Sequence, residues 1–594
     1  MKLEIEMIRK SGVLFACAML AACNTTPEKT PPIHPSVTKA DYQRAESFLP
    51  KNVRSKVRNL AVEPNWIGNS SDFWFSEVDK AGNNTYYKVE PAAAKVSPLF
   101  DHQQLKSSLA HDDSSGFYLR INSVDLQASQ LSMTYNKLEY QCDLVKSSCE
   151  LNSEPKTDST PSYSSPDGNY AISVKSWNLY LTDLNSNEVT QLTFDGTEGY
   201  PYAVQNQNPK AFINKDPAKV KQRLSVYWAP DSKTVLTHRL NREKVGKLHL
   251  IQSSHDEGLR PKLYSYYYPL AGDKHLPTGD IYSINVASQA VTKVAAPELQ
   301  QTYYGGPLWG WWEDNNRFYF FEQVRAKKRI SFHEYNPENH QVRLITEEKS
   351  DKFLDPWAQD AWVLPDSNEL IWPSQRSGKQ QYYLYDLSSG KLKNKITQCD
   401  CFVRNYRALD KNTRTLYYEA SGGFDDRDPY LRHLYKVNLD GSGQQLLTPE
   451  ALEHSARIAP DFSYFVDISS TVQSVPTTKV RSTYDGKVIM TVGNPDVSEL
   501  MATGWRAPEP FEVTADDNKT KLYGLMYKPS NFDASKKYPV IDATYTGPHN
   551  FFTPKSFWSY FQQAQSLAEL GFVVIKMDGR GTSKRDRDFH LVAY

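Results

Sequence analysis

The sequence lacks an excess of charge of either sign. Its 594 residues include 69 Lys and Arg against 69 Asp and Glu, so the formal net charge is zero. Proteins whose main ligand is nucleic acid need a basic surplus or a basic stripe to bind phosphates. We therefore expect no nucleic-acid partner. An apolar content of 39% also excludes a globally disordered chain. A collagen is excluded as well, because the chain has only 28 Gly, whereas about one residue in three is Gly in a collagen.

Long apolar runs are also missing. The one extended run covers residues 12–22, preceded by Arg9 and Lys10. It is too short to cross a bilayer as a helix, which takes about 20 residues, so a polytopic membrane protein is excluded. A basic start, a short apolar run and small residues instead predict a signal peptide over residues 1–22.

The apolar run ends in the sequence LAAC, which looks like a bacterial lipobox. In that interpretation the thiol of Cys23 is lipidated and Cys23 becomes the first mature residue. The alternative is an ordinary buried cysteine after a plain signal peptide. Residues 23–39 are rich in Pro and Thr and predict a lipid anchor followed by an extended tether.

These features predict a lipoprotein of the cell envelope. Asn24 beside Cys23 favours the outer membrane over retention in the inner membrane. We therefore expect a folded body that is held to the membrane by its lipid and faces the periplasm.

Cysteines are few, six in the whole chain. The spacing of Cys142 and Cys149 suits a disulfide across a small hairpin in an oxidising compartment. Cys399 and Cys401 are too close for an unstrained bridge. These spacings match no zinc pattern and the chain has no His-Glu-x-x-His motif, so we expect no metal and no cofactor.

Aromatic residues, in contrast, are abundant, with 37 Tyr, 25 Phe and 12 Trp, which favours β structure. From about residue 50 to 500 one phrase recurs, a Pro-Asp turn followed by short alternating strands. In these turns Pro presets φ and Asp bonds to the nearby backbone. The turns stand at residues 165–168, 229–232, 364–367 and 459–462, with degenerate copies at 311–316 and 409–412.

With the degenerate copies included, the repeat is about 45–60 residues long, the size of a four-stranded propeller blade. The sequence therefore predicts a mostly β protein, with a seven- or eight-bladed β-propeller over residues 40–505. A two-layer sandwich is the alternative, although it would not require so many copies of one phrase.

The pattern changes near residue 505. Residues 511–529 predict a hairpin, residues 538–545 a buried strand, residues 557–570 an amphipathic helix and residues 571–577 a second buried strand. Strand, helix and strand with apolar β segments are typical of a parallel α/β sheet. We therefore expect residues 506–594 to form a partial, incomplete α/β-hydrolase domain.

Four short segments, at residues 376–387, 428–435, 544–548 and 578–581, carry a resemblance to a known family. In this order they resemble the prolyl oligopeptidase family of serine peptidases, in its dipeptidyl peptidase IV-like branch. The resemblance implies a propeller that caps an α/β-hydrolase domain and hydrolysis of oligopeptides, and it allows a homodimer.

The resemblance also implies a role for Tyr545, which stands in the Tyr-x-Gly-Pro segment of this family. There the tyrosine hydroxyl donates to the oxyanion of the tetrahedral intermediate, and a fixed phenol is a suitable donor. The alternative is a structural aromatic residue at the end of a strand.

Two departures from the family pattern bear on activity. The chain contains no Gly-x-Ser-x-Gly elbow, and Asp578 and His590 precede the expected place of the elbow, so we assign no nucleophile, base or acid. The paired glutamates that grip a substrate amine are absent as well. Residues 199–223 contain no Glu, Glu198 stands alone, and the pair at 347–348 is predicted in a solvated polar turn.

The sequence therefore predicts the lineage of a serine peptidase, in a carboxy-terminally truncated chain that is inactive as it stands. The first alternative is a non-catalytic propeller, anchored to the membrane, that binds peptide or glycan. The second is a fragment without a stable role, because half an α/β domain leaves an open sheet edge.

Overall fold

The computed structural model of the chain describes residues 37–109, 116–126, 128–153, 163–206, 208, 213, 222–256, 258–301, 305–355, 360–545 and 547–594. The predicted signal peptide, Cys23 and most of the tether lie outside the described residues. In the described ranges, none of the helices combines the length and apolar character that a membrane span requires.

Between residues 65 and 492 the described residues form eight antiparallel sheets of four or five strands, numbered here in chain order. Each has four principal strands that follow one another along the sheet, and sheet 4 carries an additional short strand. The strands of sheets 1 to 3 are β1 (Asn65–Trp66), β2 (Phe73–Val78), β3 (Asn84–Glu90), β4 (Lys95–Pro98), β5 (Arg120–Asp125), β6 (Gln130–Tyr135), β7 (Leu138–Asp143), β8 (Ser148–Ser153), β9 (Tyr163–Ser164), β10 (Tyr170–Lys175), β11 (Asn178–Asp183) and β12 (Val189–Gln191).

Sheet 4 differs because the two-stranded hairpin β15–β16 is inserted between its second and third strands. Its strands and those of the hairpin are β13 (Tyr227–Trp228), β14 (Thr234–Asn241), β15 (Lys247–Gln252), β16 (Lys262–Tyr267), β17 (Thr278–Asn285), β18 (Val291–Lys293) and β19 (Leu299–Gln300).

Sheets 5 to 8 complete this series and repeat the same order of strands. Their strands are β20 (Trp309–Trp312), β21 (Phe318–Gln323), β22 (Arg329–Asn336), β23 (Gln341–Lys349), β24 (Trp362–Leu364), β25 (Glu369–Ser374), β26 (Gln381–Asp386), β27 (Leu392–Lys395), β28 (Phe402–Asp410), β29 (Thr415–Ser421), β30 (Arg432–Asn438), β31 (Gln445–Leu446), β32 (Glu453–Ile458), β33 (Tyr464–Ser470), β34 (Thr477–Ser482) and β35 (Val488–Val492).

The repeated Pro-Asp phrase occupies the same position in each sheet where it occurs. Each copy lies at the turn between the first and second strands of a sheet, in sheets 3, 4, 6 and 8, and the degenerate copies do the same in sheets 5 and 7. In sheet 3, for example, the N–H of Gly168 donates to the carbonyl of Ser165 at 3.0 Å. The predicted turns are therefore confirmed, and they mark the start of six successive sheets.

Neighbouring sheets pack face to face through apolar side chains. Buried clusters join sheets 1 and 2, 3 and 4, 4 and 5, 5 and 6, 6 and 7, and 7 and 8. Sheet 1 also packs on sheet 8, where Phe73 and Phe75 share a cluster with Val466 and Val480. Between sheets 2 and 3, the described residues form no such cluster, and residues 154–162 are not described.

A ninth sheet of mixed direction follows. Its strands lie in the order β36, β37, β39, β38, and the last two are parallel, as the sequence predicted. The strands are β36 (Glu509–Thr514), β37 (Lys521–Tyr527), β38 (Val540–Asp542) and β39 (Val573–Met577).

The helices are short. The α-helices are α1 (Lys39–Ser47), α2 (Pro50–Val53), α3 (His102–Ser108), α4 (Ser498–Met501), α5 (Gln563–Ala568) and α6 (Arg587–His590). The 3₁₀ turns are Arg54–Lys56, Pro91–Ala93, Arg325–Lys327, Pro365–Ser367, Phe557–Phe561 and Leu591–Ala593. The amphipathic segment 557–570, predicted as one helix, is divided, because Gln562 has an extended backbone with ψ 139°.

The first helix packs against the ninth sheet's helix α5. The Nε of Arg44 in α1 lies 2.8 Å from the buried carboxylate of Glu569, and the hydroxyl of Ser566 donates to the carbonyl of Ala45. Phe48 and Phe557 belong to one buried cluster. The two ends of the described chain therefore stabilise each other, which the sequence did not predict.

The described residues contain two disulfides. The predicted pair Cys142 and Cys149 is confirmed and bridges the neighbouring strands β7 and β8. Cys399 and Cys401 are joined as well. Their α-carbons are 5.0 Å apart.

The prediction for the pair at 347–348 was wrong. Both residues lie within β23, not in a polar turn, and Glu348 is buried. Its carboxylate accepts from the hydroxyl of Ser374 at 2.8 Å and lies 3.1 Å from the guanidinium of Arg376. Glu348 thus pairs with a cation of the next sheet and is not free to bind a substrate amine.

Buried histidines make the stability of the sheets depend on pH. His238 in sheet 4 and His433 in sheet 7 are fully buried, and burial lowers the pKa of each to about 4. In the unfolded chain a His titrates near 6.5, so the unfolded state binds more protons between pH 6.5 and 4. The stabilisation is present above pH 6.5 and is lost as the pH falls through this window.

We expect the free energy of unfolding to fall by roughly 2 kcal/mol for each of these histidines between pH 7.5 and 4.5. Urea unfolding at both values measures the loss. In a His238→Gln variant, which keeps a donor for the carbonyl of Val204, the loss should be smaller by that amount. Parallel pH curves for the variant and the parent would contradict the assignment.

Candidate functional site

The candidate site lies at the carboxyl ends of the two parallel strands β38 and β39. Tyr545 follows Asp542, the last residue of β38, by three positions, and Asp578 comes directly after β39. The carboxyl ends of parallel strands meet at one edge of a sheet, where open α/β sheets bind their ligands. Tyr545, the residue predicted from the sequence, therefore lies at the edge of the sheet where open α/β folds bind their ligands.

The side chain of Tyr545 is held on one side and open on the other. It is 59% exposed, and its ring centroid lies 4.4 Å from that of Phe552 and 6.0 Å from that of His549. Among the described residues its hydroxyl has no hydrogen-bond partner. The phenol is thus supported by an aromatic loop, which we define as residues 547–553, and its hydroxyl can donate to a ligand.

Asp578 anchors one end of the aromatic loop. Its side chain is buried, and its carboxylate accepts from the backbone N–H groups of Phe552 at 2.6 Å and Thr553 at 3.0 Å. Charge-assisted bonds of this kind are among the stronger ones in proteins. Asp578 therefore positions the residue against which Tyr545 packs.

His590 anchors the other end of the loop. Its Nε2–H donates to the carbonyl of Pro548 at 2.6 Å, and burial lowers the pKa of the imidazole, so the ring is neutral at pH 7. Neither Asp578 nor His590 is free to serve in a catalytic triad. From the sequence, too, we assign no catalytic role to either residue. The sequence missed that both are positioning residues, although an Asp directly after a buried strand was a signal.

One segment is similar in sequence to a nucleophile elbow but does not have the geometry of one. Residues 581–585 read Gly-Thr-Ser-Lys-Arg, which lacks the second glycine. The side chain of Ser583 is fully buried. A nucleophile must be exposed at its turn, so Ser583 is not one.

Two cavities lie between sheet 7 and the ninth sheet. One has a volume of about 480 Å³ and is lined by Asp428, Phe511 and Lys555 among others. The other, of about 720 Å³, is lined by Phe424 and Arg580 among others. Tyr545 lines neither of them, so the cavities are neighbours of the site and not part of it.

Residues 199–223 contain no glutamate that could pair with Glu198. Glu198 is exposed, and its carboxylate lies 3.7 Å from the Nζ of Lys247. No group of three or more His, Cys, Asp and Glu in the described residues could hold a metal ion. That no metal is needed stays a prediction.

Comparison with protein families gives one match that covers more than half of the chain. The family described as the dipeptidyl peptidase IV (DPP IV) N-terminal region matches residues 127–476.

Curated relatives are distant. A probable dipeptidyl-aminopeptidase B of Arthroderma benhamiae is 23% identical over 455 residues, 70% of this chain and 47% of that protein. The protein of the same description from Aspergillus oryzae is 23% identical over 467 residues, 71% of this chain and 48% of its own length. The chain thus spans about half the length of the curated relatives it matches.

Solved structures share the fold. The crystal structure of Porphyromonas gingivalis dipeptidyl peptidase 4 matches with a TM-score of 0.62 and 18% identity, over 92% of this chain and 75% of that one. A putative dipeptidyl aminopeptidase IV from Bacteroides ovatus matches with a TM-score of 0.63 and 19% identity, over 89% and 74%. At such identities the likeness concerns the fold alone.

Proposed function

Because this chain belongs to the family of the dipeptidyl peptidase IV N-terminal region, we propose that it is part of a serine-type peptidase of the prolyl oligopeptidase, dipeptidyl peptidase IV-like type. The substrates in this proposal are oligopeptides. The observation that carries it is the family match over residues 127–476. The names of the relatives, dipeptidyl peptidases and dipeptidyl-aminopeptidases, support the same class of substrate.

In this proposal the eight sheets are the blades of a β-propeller, and residues 506–594 are part of an α/β-hydrolase domain. The uniform strand order and the packing of sheet 1 on sheet 8 support a ring of blades. The parallel pair β38–β39, with α5 between the two strands in sequence, supports the α/β interpretation.

Tyr545 is the oxyanion donor in this proposal. Its open hydroxyl and its fixed ring suit that role, because a donor preorganised toward developing charge costs no reorganisation during the reaction. The nucleophile, base and acid are not among the 594 residues, so peptide hydrolysis requires residues that this sequence does not contain.

We expect a fluorophosphonate probe to leave the 594-residue chain unlabelled, because the chain has no serine elbow and Ser583 is buried. In-gel fluorescence measures the labelling, with an active serine hydrolase in the same tube as the positive control. A probe adduct located on a serine of this chain by mass spectrometry would show that the nucleophile has been missed.

A second candidate function is binding of peptides without hydrolysis, which the absence of a Gly-x-Ser-x-Gly elbow favours. The intact mass of the protein from its native host separates the two candidates. A mass well above 67.8 kDa favours the peptidase, whereas the mass of residues 23–594 plus lipid favours the binding module. The same spectrum tests the proposed lipidation of Cys23, and thereby the proposed membrane anchor in the cell envelope.

A further inference from the structure

Arg404 lies at an irregularity of sheet 7. In the pairing of β28 with β29, Val403 is opposite Ala420 and Asn405 is opposite Glu419, so Arg404 has no partner residue. A β-bulge of this kind turns a side chain out of the alternation of the strand, and bulges are frequent next to active sites. The bulge therefore re-aims the guanidinium of Arg404.

The carboxylates around Arg404 are already bound by other cations. The buried carboxylate of Glu419 lies 2.6 Å from the guanidinium of Arg407 and accepts from the N–H of Ala456 at 3.0 Å. The carboxylate of Glu453 lies 2.5 Å from the Nε of Arg432. Each of these two arginines thus has its own carboxylate.

Arg404 is the cation that remains without one. Its Nη1 lies 3.4 Å from the hydroxyl of Ser421, and in the described part of the chain no carboxylate comes within 4.0 Å of its guanidinium. The carboxylate of Asp355 does not compensate this charge, because it lies 3.1 Å from the Nζ of Lys584, a cation next to Arg404. The cluster therefore carries one unneutralised positive charge.

The guanidinium of Arg404 lies deep in the protein, but a ligand can still reach it. Burial, with a smaller contribution from the nearby Arg432, lowers the pKa of Arg404 to about 10, so the group stays charged at neutral pH. The side chain nevertheless keeps part of its surface open. A charge in such surroundings attracts an anion more strongly than one on the outer surface.

Arg404 also touches the aromatic loop that supports Tyr545. Its guanidinium lies 4.8 Å from the ring centroid of Phe551, and the adjacent Phe552 contacts the ring of Tyr545 at 4.4 Å. Arg404 and Tyr545 thus contact two successive residues of the same loop, within the reach of one bound oligopeptide.

We propose that Arg404 binds a carboxylate of the peptide that is held at Tyr545. The proposal rests on the proposed function and narrows the substrates to peptides with an acidic group at this position. A guanidinium suits the purpose, because its planar fork matches a carboxylate with two parallel hydrogen bonds. The carboxylate comes either from the carboxyl terminus of the peptide or from an Asp or Glu side chain.

Calorimetric titration of the full chain with four short peptides tests the proposal. The peptides are Gly-Pro-Ala-Ala with a free carboxyl terminus, its amide, and the amides of Gly-Pro-Glu-Ala and Gly-Pro-Gln-Ala. We expect the two amides without any carboxylate to bind at least tenfold more weakly than the tightest acidic peptide. Whether the free terminus or the Glu peptide binds better identifies the source of the carboxylate.

Arg404→Gln should abolish this preference, and Arg404→Lys should keep part of it, because lysine retains the charge but not the fork. Arg120→Gln, at an exposed position of β5, is the matched control and should leave the preference unchanged. Thermal melts of the variants verify folding, and loss of an unpaired charge should not lower the melting temperature. Arg404→Lys keeps the test valid if Arg404→Gln does not fold.

The outcomes separate the two proposals. Equal binding of peptides with and without a carboxylate overturns the role of Arg404 but leaves the proposed function intact. A preference that survives Arg404→Gln also overturns it. Failure of all four peptides to bind overturns the proposed function, and the assignment of Arg404 falls with it.

Discussion

Glu419→Gln is expected to lower the free energy of unfolding by roughly 3–5 kcal/mol, the cost of breaking a buried ion pair from one side. The carboxylate of Glu419 is fully buried, and it lies 2.6 Å from the guanidinium of Arg407 and 3.4 Å from that of Arg432. It also accepts from the N–H of Ala456 in sheet 8. The neutral amide would leave two cations without full compensation at the contact between sheets 7 and 8.

Urea unfolding of parent and variant measures this loss. Glu347→Gln is the matched control, because its carboxylate lies 2.5 Å from the Nζ of an exposed lysine, Lys349. Exposed pairs contribute about 0–1 kcal/mol, so the control should unfold nearly as the parent does. Equal stability of the two variants would mean that the network around Glu419 is not a source of stability.

Asp578→Ala is expected to lower the free energy of unfolding by roughly 2–4 kcal/mol, because two backbone donors lose a charged acceptor. These are the N–H groups of Phe552 and Thr553, and Thr553 is buried. The loss is local, so the aromatic loop should open more often than the sheets do. Hydrogen exchange of residues 547–553 should therefore become faster, with no change in β32 and β33.

Asp542→Ala is the control for this prediction. Asp542 ends the neighbouring strand β38, is exposed, and accepts one bond, from the N–H of Thr544 at 3.0 Å. Its replacement should cost about 1 kcal/mol or less. Unchanged exchange of the aromatic loop in Asp578→Ala would refute the positioning role of this carboxylate.

Much of the fold was predictable because a turn needs particular residues. Proline fixes φ and aspartate bonds to the local backbone, so four of the eight sheets show their first hairpin in the sequence as a Pro-Asp pair, and two more show it as a degenerate copy without proline. Sheets 1 and 2 do not. Their first hairpins pass through Gly68 and Ser129, both at positive φ, without a Pro-Asp pair. The number of sheets could therefore be bracketed, at seven or eight, but not fixed.

In the candidate site, too, some features were predictable from the sequence and others were not. The sequence points to Tyr545 because it stands in a recognisable segment at the end of a strand, and its role as oxyanion donor stays a prediction. Its two anchors were not predictable, since the partners of Asp578 and His590 are backbone groups of a loop that lies 26 and 42 residues earlier. Backbone partners leave no residue-type signal in a sequence.

The sequence by itself determined the β-rich composition, the repeated hairpin, the parallel pair β38–β39 and the lack of a serine elbow, because local propensity and turn chemistry encode such features within a few residues. The tertiary structure alone decided which charges meet. It buried Glu348 against Arg376 of the next sheet, contrary to the sequence prediction, and among the described residues it left Arg404 without a carboxylate. The partner of a charged side chain is the residue that the tertiary structure packs against it. The pattern of residues along a strand does not specify which residue that is.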